Sequence, residues 1–157
     1  MIPKPKILFL CTGNSCRSQM AEAWTRHLKG DQFDPYSAGI EVRDIDSRAI
    51  RVMAEVGIDM SGQRPKNVDT LQEIEFDYVI TVCDYAREAC PFFPAKKSLI
   101  HWGFPDPPKL AKTAQSEEEA LAHYRVVRDQ IRTFVEEFPG ILEEATRDFS
   151  LRPNKRT

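Results

Sequence analysis

Residues 6–18 read Lys-Ile-Leu-Phe-Leu-Cys-Thr-Gly-Asn-Ser-Cys-Arg-Ser, so an apolar run leads directly into a polar loop. The run predicts a buried β-strand over 6–10, the Gly-Asn pair predicts a turn, and Arg17 opens a stretch predicted to be helical. In such a unit, the backbone N–H groups of the loop and of the helix N-terminus point at one spot and favour negative charge there. The stretch therefore predicts an oxyanion site at the end of a strand.

Two side chains of this stretch suit the site to nucleophilic chemistry. Cys11 stands at the lip of the loop, where the local field is expected to depress the pKa of its thiol and supply a thiolate at neutral pH. Arg17 can fold back and hold two oxygens of a phosphate-like anion with its planar guanidinium. A buried structural role for Cys11 is the weaker interpretation beside the Gly-Asn turn and Arg17. The pattern predicts thiolate attack on a tetrahedral oxyanion.

Length and composition indicate one globular domain. The chain has 157 residues, of which 41% are hydrophobic and 29% are charged, and its formal net charge is -2. This balance argues against nucleic acid or a membrane surface as a partner, since both attract strongly basic proteins. Pro3 and Pro5 interrupt the first residues, which do not resemble a signal peptide, and no stretch is apolar enough to cross a membrane. We expect a cytoplasmic protein.

The four cysteines, Cys11, Cys16, Cys83 and Cys90, favour reactive thiols over structural disulfides in such a protein. They include no Cys-x-x-Cys pair, so structural zinc is disfavoured, and we expect no metal or other cofactor. Taken alone, Cys83 suits a core position as well as a redox role.

Beyond the loop, helical and strand patterns alternate along the chain. The first predicted elements are a helix over 17–28, a strand over 35–38 closing at Gly39, and a helix capped by Ser47 and ended by Gly57. They are followed by a strand over 78–82, a short helix over 85–90 and a strand over 98–102. A rigid loop over 103–108 and a long helix over 117–138 complete the series. We expect one domain over 1–147 and a flexible tail over 148–157.

This alternation predicts an α/β fold, a single-domain, doubly wound, mainly parallel four-stranded sheet flanked by helices. Ligands of such sheets bind outside the carboxyl ends of the strands. Cys11, Cys83 and the loop over 103–108 each follow a predicted strand. We therefore expect these three segments to meet at one edge of the sheet.

Five stretches together resemble the low-molecular-weight protein tyrosine phosphatases, and more narrowly the thioredoxin-coupled arsenate reductases built on that fold. They are CTGNSCRSQMAEAW (11–24), YSAGIE (36–41), TVCDYAREACP (81–91), HWGFPDP (101–107) and YRVVRDQI (124–131). The likeness spans roughly residues 6 to 138. The Cys-x5-Arg-Ser loop alone is moderately specific, and its combination with Cys83, Cys90 and Asp106 is highly specific.

The resemblance implies an oxyanion site built on the loop. Cys11 would attack arsenate, and Asp106 would protonate the departing oxygen as general acid. Ser18 would donate a hydrogen bond to the Cys11 thiolate and lower its pKa further. The anion would be bound by Arg17 and by the loop's N–H groups, which belong to Thr12, Gly13, Asn14, Ser15 and Cys16. No individual role is implied for the Cys16 side chain, and phosphate and sulfate are expected competitors.

The resemblance also implies a relay of disulfides. Cys83 would attack Cys11, release arsenite and leave a Cys11–Cys83 disulfide, which Cys90 would convert to Cys83–Cys90 for reduction by thioredoxin. Physical chemistry supports such a relay, because arsenate reduction takes two electrons and hence two thiols. Nothing in the sequence demands more than a monomer, and another thiol donor such as glutaredoxin stays open.

The spacing of Cys83 and Cys90 predicts a conformational change. Seven residues of α-helix rise about 10.5 Å, whereas the Cα atoms of a disulfide lie within roughly 7 Å. The segment over 84–90 must therefore unwind when the two cysteines bond.

Several other residues have structural interpretations. Asn14 and Ser37 are expected to brace the loop, and Trp102 and Phe104 to pack beneath the loop that carries Asp106. Without a role as general acid, Asp106 would simply be the first residue of a turn. The three histidines, His27, His101 and His123, have no convincing catalytic partner in the sequence.

One position departs from the resembling family. Some members hold a potassium ion near the loop with an Asn, a Ser and a Thr-x-Asp stretch, but this chain has Arg64-Pro65-Lys66 there. We expect the Lys66 ammonium to take the place of the ion, and the protein to be indifferent to potassium.

Two other functions stay open. A phosphotyrosine phosphatase is the closer alternative, although Pro107-Pro108-Lys109 contains no tyrosine to stack on a substrate ring. A non-catalytic redox switch would use Cys83 and Cys90 but would need neither Arg17 nor Asp106.

Overall fold

The computed structural model describes residues 3–83 and 93–151, with side chains up to residue 147. Four parallel strands form one sheet in the order β2-β1-β3-β4. Their bounds are β1 Lys6–Cys11, β2 Asp34–Gly39, β3 Tyr78–Thr81 and β4 Ser98–His101. The predicted fold class is confirmed. The helix predicted over 85–90, which includes Cys90, lies outside the described residues.

Helices occur in the connections between the strands and in the part of the chain that follows the last strand. In the described ranges they are α1 Arg17–Lys29, α2 Ser47–Glu55, a 3-10 helix Val68–Leu71, α3 Pro107–Ala111, α4 Glu117–Glu136 and α5 Gly140–Leu151. The helices predicted over 17–28 and 117–138 are confirmed to within two residues at each end. No helix in the described part of the chain is long and apolar enough to cross a membrane.

The apolar run that precedes the loop forms the centre of the sheet. Ile7, Leu8, Phe9 and Leu10 are completely buried, because β1 pairs with β2 on one side and β3 on the other. The register places Cys11 opposite Gly39 and Leu10 opposite Thr81. The carboxyl ends of these strands therefore lie together, as predicted.

Local sequence determines where α2 begins and ends, and the prediction of its N-cap needs correction. Its N-cap is Asp46 rather than Ser47, because the Asp46 carboxylate accepts hydrogen bonds from the backbone N–H groups of Arg48 and Ala49. Ser47 is instead the first helical residue. At the other end Gly57, with a φ of 82°, terminates the helix as predicted.

Two predictions about irregular segments also need correction. The loop predicted over 103–108 ends earlier, because Pro107 and Pro108 occupy the first turn of α3, where the missing proline N–H is no loss. The last helix, α5, runs to Leu151 and so includes the first residues of the range expected to be a tail. Residues 152–157 lie outside the described ranges.

The long helix α4 closes the core by packing on α1 and α2. The apolar residues on the inner face of α4 are all buried, namely Leu121, Tyr124, Val127, Ile131, Phe134 and Val135. Trp24 of α1 donates its indole N–H to the Arg128 carbonyl at 3.1 Å. This packing holds α1, and with it the end of the loop, against the sheet.

Candidate active site

The loop after β1 owes its shape to a buried asparagine. Asn14 adopts a φ of 53°, a left-handed conformation that asparagine tolerates better than most residues. Its amide nitrogen donates to the Ser18 hydroxyl at 2.8 Å, and its side-chain oxygen accepts from the Lys66 backbone N–H at 2.8 Å. Gln19 also donates to the Asn14 carbonyl at 3.0 Å. Asn14 thus braces the loop, as predicted.

The chain that follows β2 supports the loop from the outside. The Thr12 carbonyl accepts from Ile40 and Glu41, and the Gly13 carbonyl accepts from Arg43, at 2.8 to 3.0 Å. Gly39 permits this close approach, since a Cβ there would lie 2.8 Å from the Asn14 backbone nitrogen. These bonds use the loop carbonyls and leave the inner side of the loop to N–H groups.

A cavity of about 350 Å³ opens above the loop. Its lining residues are Cys11, Thr12, Gly13, Ser15, Cys16, Arg17, Glu41, Arg43, Asp106 and Pro108. The cavity thus brings together most of the predicted site residues from β1, the loop and the segment after β4. Glu41 and Arg43 were missed, because only the pairing of their segment with the loop carbonyls places them there.

Arg17 crosses the floor of this cavity. Its Nη1 donates to the Phe104 carbonyl at 2.9 Å, and its Nη2 lies 3.7 Å from Oδ1 of Asp106. Its Nε is buried and has no hydrogen-bond partner among the described residues. A buried guanidinium N–H without a protein partner is costly unless a ligand accepts from it. The arrangement therefore suits an anion bound between Arg17 and the loop.

Cys11 and Cys83 lie in contact at the edge of the cavity. Both are reduced thiols, and each has an exposed fraction of 4%. The Cys83 thiol hydrogen-bonds to Cys11, and its sulfur lies 3.2 Å from the Thr12 hydroxyl oxygen. Cys11 is the last residue of β1 and Cys83 lies two residues beyond β3, so the expected meeting of these segments is confirmed.

The contact between the thiols reverses one expectation. The hydrogen bond in which the Cys11 thiol donates to Cys83, together with the burial of Cys11, raises the pKa of the Cys11 thiol well above its ordinary value, while the Arg17 guanidinium lowers it. The prediction of a depressed pKa is therefore wrong for this arrangement. That prediction rested on the loop and Arg17 and did not include a second buried thiol, Cys83, which lies 72 positions further along the sequence.

Asp106, Ser18 and Cys16 are further predicted site residues that the structure describes in or near the loop. Asp106 occupies the N-cap position of α3, yet its side chain makes no capping hydrogen bond and is 41% exposed at the cavity. Ser18 is completely buried, and its hydroxyl accepts from Asn14. Cys16 precedes α1, and burial raises the pKa of its thiol well above the ordinary value.

A polar cluster behind the loop went largely unpredicted. Ser37 donates to one oxygen of the buried Glu22 carboxylate at 2.6 Å, and Arg26 binds the other at 2.7 Å. The Lys66 ammonium lies 4.0 Å from Glu22. Ser37 therefore holds α1 rather than the loop itself. The sequence did not single out Glu22, because its partner Ser37 lies on another element, 15 residues further along the chain.

The aromatic residues near Asp106 have structural contacts. Phe104 is buried and meets Phe134 edge to face, as predicted. Trp102 stacks on Phe134 with ring centroids 4.7 Å apart, but it remains 40% exposed. His101 lies within hydrogen-bond distance of the Thr81 hydroxyl, at 2.9 Å. No group of three or more His, Cys, Asp or Glu residues in the described ranges is arranged to hold a metal ion.

Fold and site together define a parallel α/β protein that presents a cysteine, and an arginine from the following helix, to a cavity at the carboxyl edge of its sheet. Residues 6–148 match the family described as low molecular weight phosphotyrosine protein phosphatase, and the chain belongs to this family.

Similar proteins match this chain over most of its length. An arsenate reductase of Halalkalibacterium halodurans is 46% identical over 137 residues, covering 85% of this chain and 96% of the relative. A solved "arsenate reductase in the phosphate binding state" is 31% identical with a TM-score of 0.73, and 90% of this chain and 98% of that chain are covered. A solved "arsenate reductase in oxidized state" is 32% identical with a TM-score of 0.71, and 84% of this chain and 94% of that chain are covered.

Proposed function

We propose that this protein is an arsenate reductase that uses its own thiols as the immediate electron source. The observation that carries the proposal is the contact between Cys11 and Cys83 beside the oxyanion cavity. A phosphatase needs one nucleophilic thiol, an acid and water, and has no use for a second buried thiol against the nucleophile. Reduction needs that second thiol, because the two electrons come from joining two sulfurs. The names of the similar proteins support the same activity.

In the first step, arsenate occupies the cavity and Arg17 and the loop N–H groups of residues 12–16 bind its oxygens. The Cys11 thiol passes its proton to an arsenate oxygen and attacks arsenic as the thiolate, and one oxygen leaves as water after Asp106 supplies a further proton. Arsenic keeps its oxidation state in this step. Asp106 lines the cavity and makes no capping bond, which supports its role as the acid.

In the second step, the Cys83 thiolate attacks the Cys11 sulfur. A sulfur–sulfur bond forms, the sulfur–arsenic bond breaks, and its electron pair stays on arsenic, which leaves as arsenite. Cys90 then attacks Cys83, transfers the disulfide to the Cys83–Cys90 pair and frees Cys11. We propose that a thioredoxin dithiol reduces this last disulfide in the cytoplasm, with the protein acting as a monomer.

Weak phosphatase activity is part of the proposal. The cavity would hold phosphate much as it holds arsenate, since both are tetrahedral oxyanions of similar size. Against phosphatase as the main activity, the segment after Asp106 is a short helix that presents Pro108 to the cavity and carries no aromatic side chain for a tyrosine ring.

The direct test is NADPH consumption with arsenate, thioredoxin and thioredoxin reductase. We expect sustained turnover by the unaltered protein and about one arsenite per protein in Cys90→Ser, which completes one cycle but cannot pass on its disulfide. Cys83→Ser is the matched comparison, because it should form no arsenite at all. Hydrolysis of p-nitrophenyl phosphate should persist in both variants.

No turnover by the unaltered protein, with phosphatase activity intact, would assign it to the phosphatases. Equal sustained turnover in Cys90→Ser would contradict the relay but not the reductase.

A further inference from the structure

The rim of the oxyanion cavity carries a second arginine. Arg43 lines the cavity, and its backbone N–H is fixed to the Gly13 carbonyl at 3.0 Å. A Cβ added to Gly13 would lie 3.0 Å from Cδ of Arg43, so the aliphatic part of this side chain covers the glycine. The backbone and stem of Arg43 are thus held against the loop.

The guanidinium of Arg43 has freedom that Arg17 lacks. Its charge partner among the described residues is Glu41, also on the rim, with Nη2 and Oε2 3.9 Å apart. The two side chains are 66% and 57% exposed. An ion pair this long and this exposed contributes little stability and breaks easily. Arg43 can therefore leave Glu41 for a more highly charged partner at little cost.

The charges of the cavity explain why a second cation is useful there. Arg17 already faces the Asp106 carboxylate, and Glu41 adds another negative charge at the rim. An incoming oxyanion is repelled by both carboxylates, and Arg17 and Arg43 are the cationic side chains of the cavity lining that attract it. A guanidinium at the rim offsets that repulsion and raises the local concentration of anions.

We propose that Arg43 is an oxyanion-binding residue, which leaves Glu41 to contact the tetrahedral anion as it enters the cavity. The inference deepens the proposed reductase activity, since arsenate would be the physiological anion. It predicts an effect on anion affinity and on KM, while kcat depends on Cys11, Cys83 and Asp106.

The test is titration calorimetry of the protein with inorganic phosphate as the probe. In Arg43→Gln we expect the Kd for phosphate to rise about three- to tenfold at low salt, since the charge is partly screened. Arg43→Lys, which keeps the charge, should lie closer to the unaltered protein. The control is Arg51→Gln, which removes the same charge from an exposed position of α2 outside the cavity lining and should change nothing.

Two further readouts separate binding from a structural effect. The affinity for phosphate should fall less steeply with added salt in Arg43→Gln than in the unaltered protein. Glu41→Gln should bind phosphate more tightly, because it removes a repulsive charge and releases Arg43. For arsenate reduction, Arg43→Gln should raise KM and leave kcat unchanged.

A phosphate Kd in Arg43→Gln equal to that in Arg51→Gln would overturn this inference and leave the reductase proposal intact. Failure of the unaltered protein to reduce arsenate, with phosphate binding still weakened in Arg43→Gln, would overturn the reductase and retain Arg43 as an anion contact. No phosphate binding by the unaltered protein would overturn the inference about Arg43, and arsenate turnover would still decide the reductase proposal separately.

Discussion

At the edge of the cavity, the pKa of the Cys11 thiol depends on the neighbouring Cys83. Cys83 is the largest cause of the raised pKa of Cys11, and burial is the next. Removing Cys83 leaves burial and the opposing Arg17 guanidinium, so the pKa of Cys11 must fall. We expect Cys83→Ala to move the pH midpoint for alkylation of Cys11 by iodoacetamide downward, measured on the Cys11 peptide by mass spectrometry.

Cys16→Ala is the matched control for this experiment. Cys16 is the last of the causes that raise the pKa of Cys11, so its removal should move the midpoint less. Equal midpoints in Cys83→Ala and the unaltered protein would show that the thiol contact does not control the nucleophile.

The Lys66 ammonium stands near the buried Glu22 carboxylate, which also accepts from Ser37. A fixed cation there leaves little need for a metal ion, so we predict the same thermal unfolding midpoint in potassium chloride and in sodium chloride. The activity should be equally insensitive. Selective stabilisation or activation by potassium would contradict this account of Lys66.

At the scale of elements, the end of β2 determines the shape of the loop. In Gly39→Ala the new Cβ would lie 2.8 Å from the Asn14 backbone nitrogen and 2.9 Å from Gly13, so the loop must move. We expect phosphate affinity to fall about tenfold or more, since catalytic and binding geometry tolerates little displacement. Calorimetry measures the loss.

Gly62→Ala is the control, because nothing lies within 4 Å of the added Cβ. It should bind phosphate as the unaltered protein does. Unchanged binding in Gly39→Ala would mean that the loop does not depend on this contact.

The segment over 84–90 carries a prediction that rests on sequence alone, since it lies outside the described residues. If it is helical in the reduced protein, the Cys83–Cys90 disulfide requires it to unwind. Amide hydrogen exchange over 84–90 should therefore be faster in the disulfide form than in the reduced form. Comparable protection in the two forms would contradict the unwinding.

Elements were predicted well where the signal was local. The apolar run of β1, the inward stripe of α4 and the stop at Gly57 each follow from neighbouring residues. Asp46 and Ser47 are both good N-caps, and only the path of the chain selects between them. Pro107 and Pro108 suit a turn as well as the first turn of a helix, so α3 was predicted as loop.

At the scale of the molecule, parallel strand order brings distant segments to one edge. The order β2-β1-β3-β4 places the ends of β1 and β3 side by side, which is why Cys11 meets Cys83. Alternating strands and helices sufficed to predict that meeting. The rim residues Glu41 and Arg43 were not predictable in the same way, because their place depends on backbone bonds to the loop.

The most direct test of the whole account is a single turnover without any external reductant. Reduced protein is mixed with excess arsenate, arsenite is counted per protein, and the disulfide is located by mass spectrometry. We predict about one arsenite per protein and a disulfide between Cys83 and Cys90, since one thiol pair supplies two electrons. Arsenate left unreduced, with all thiols still free, would contradict the assignment of this protein as a reductase.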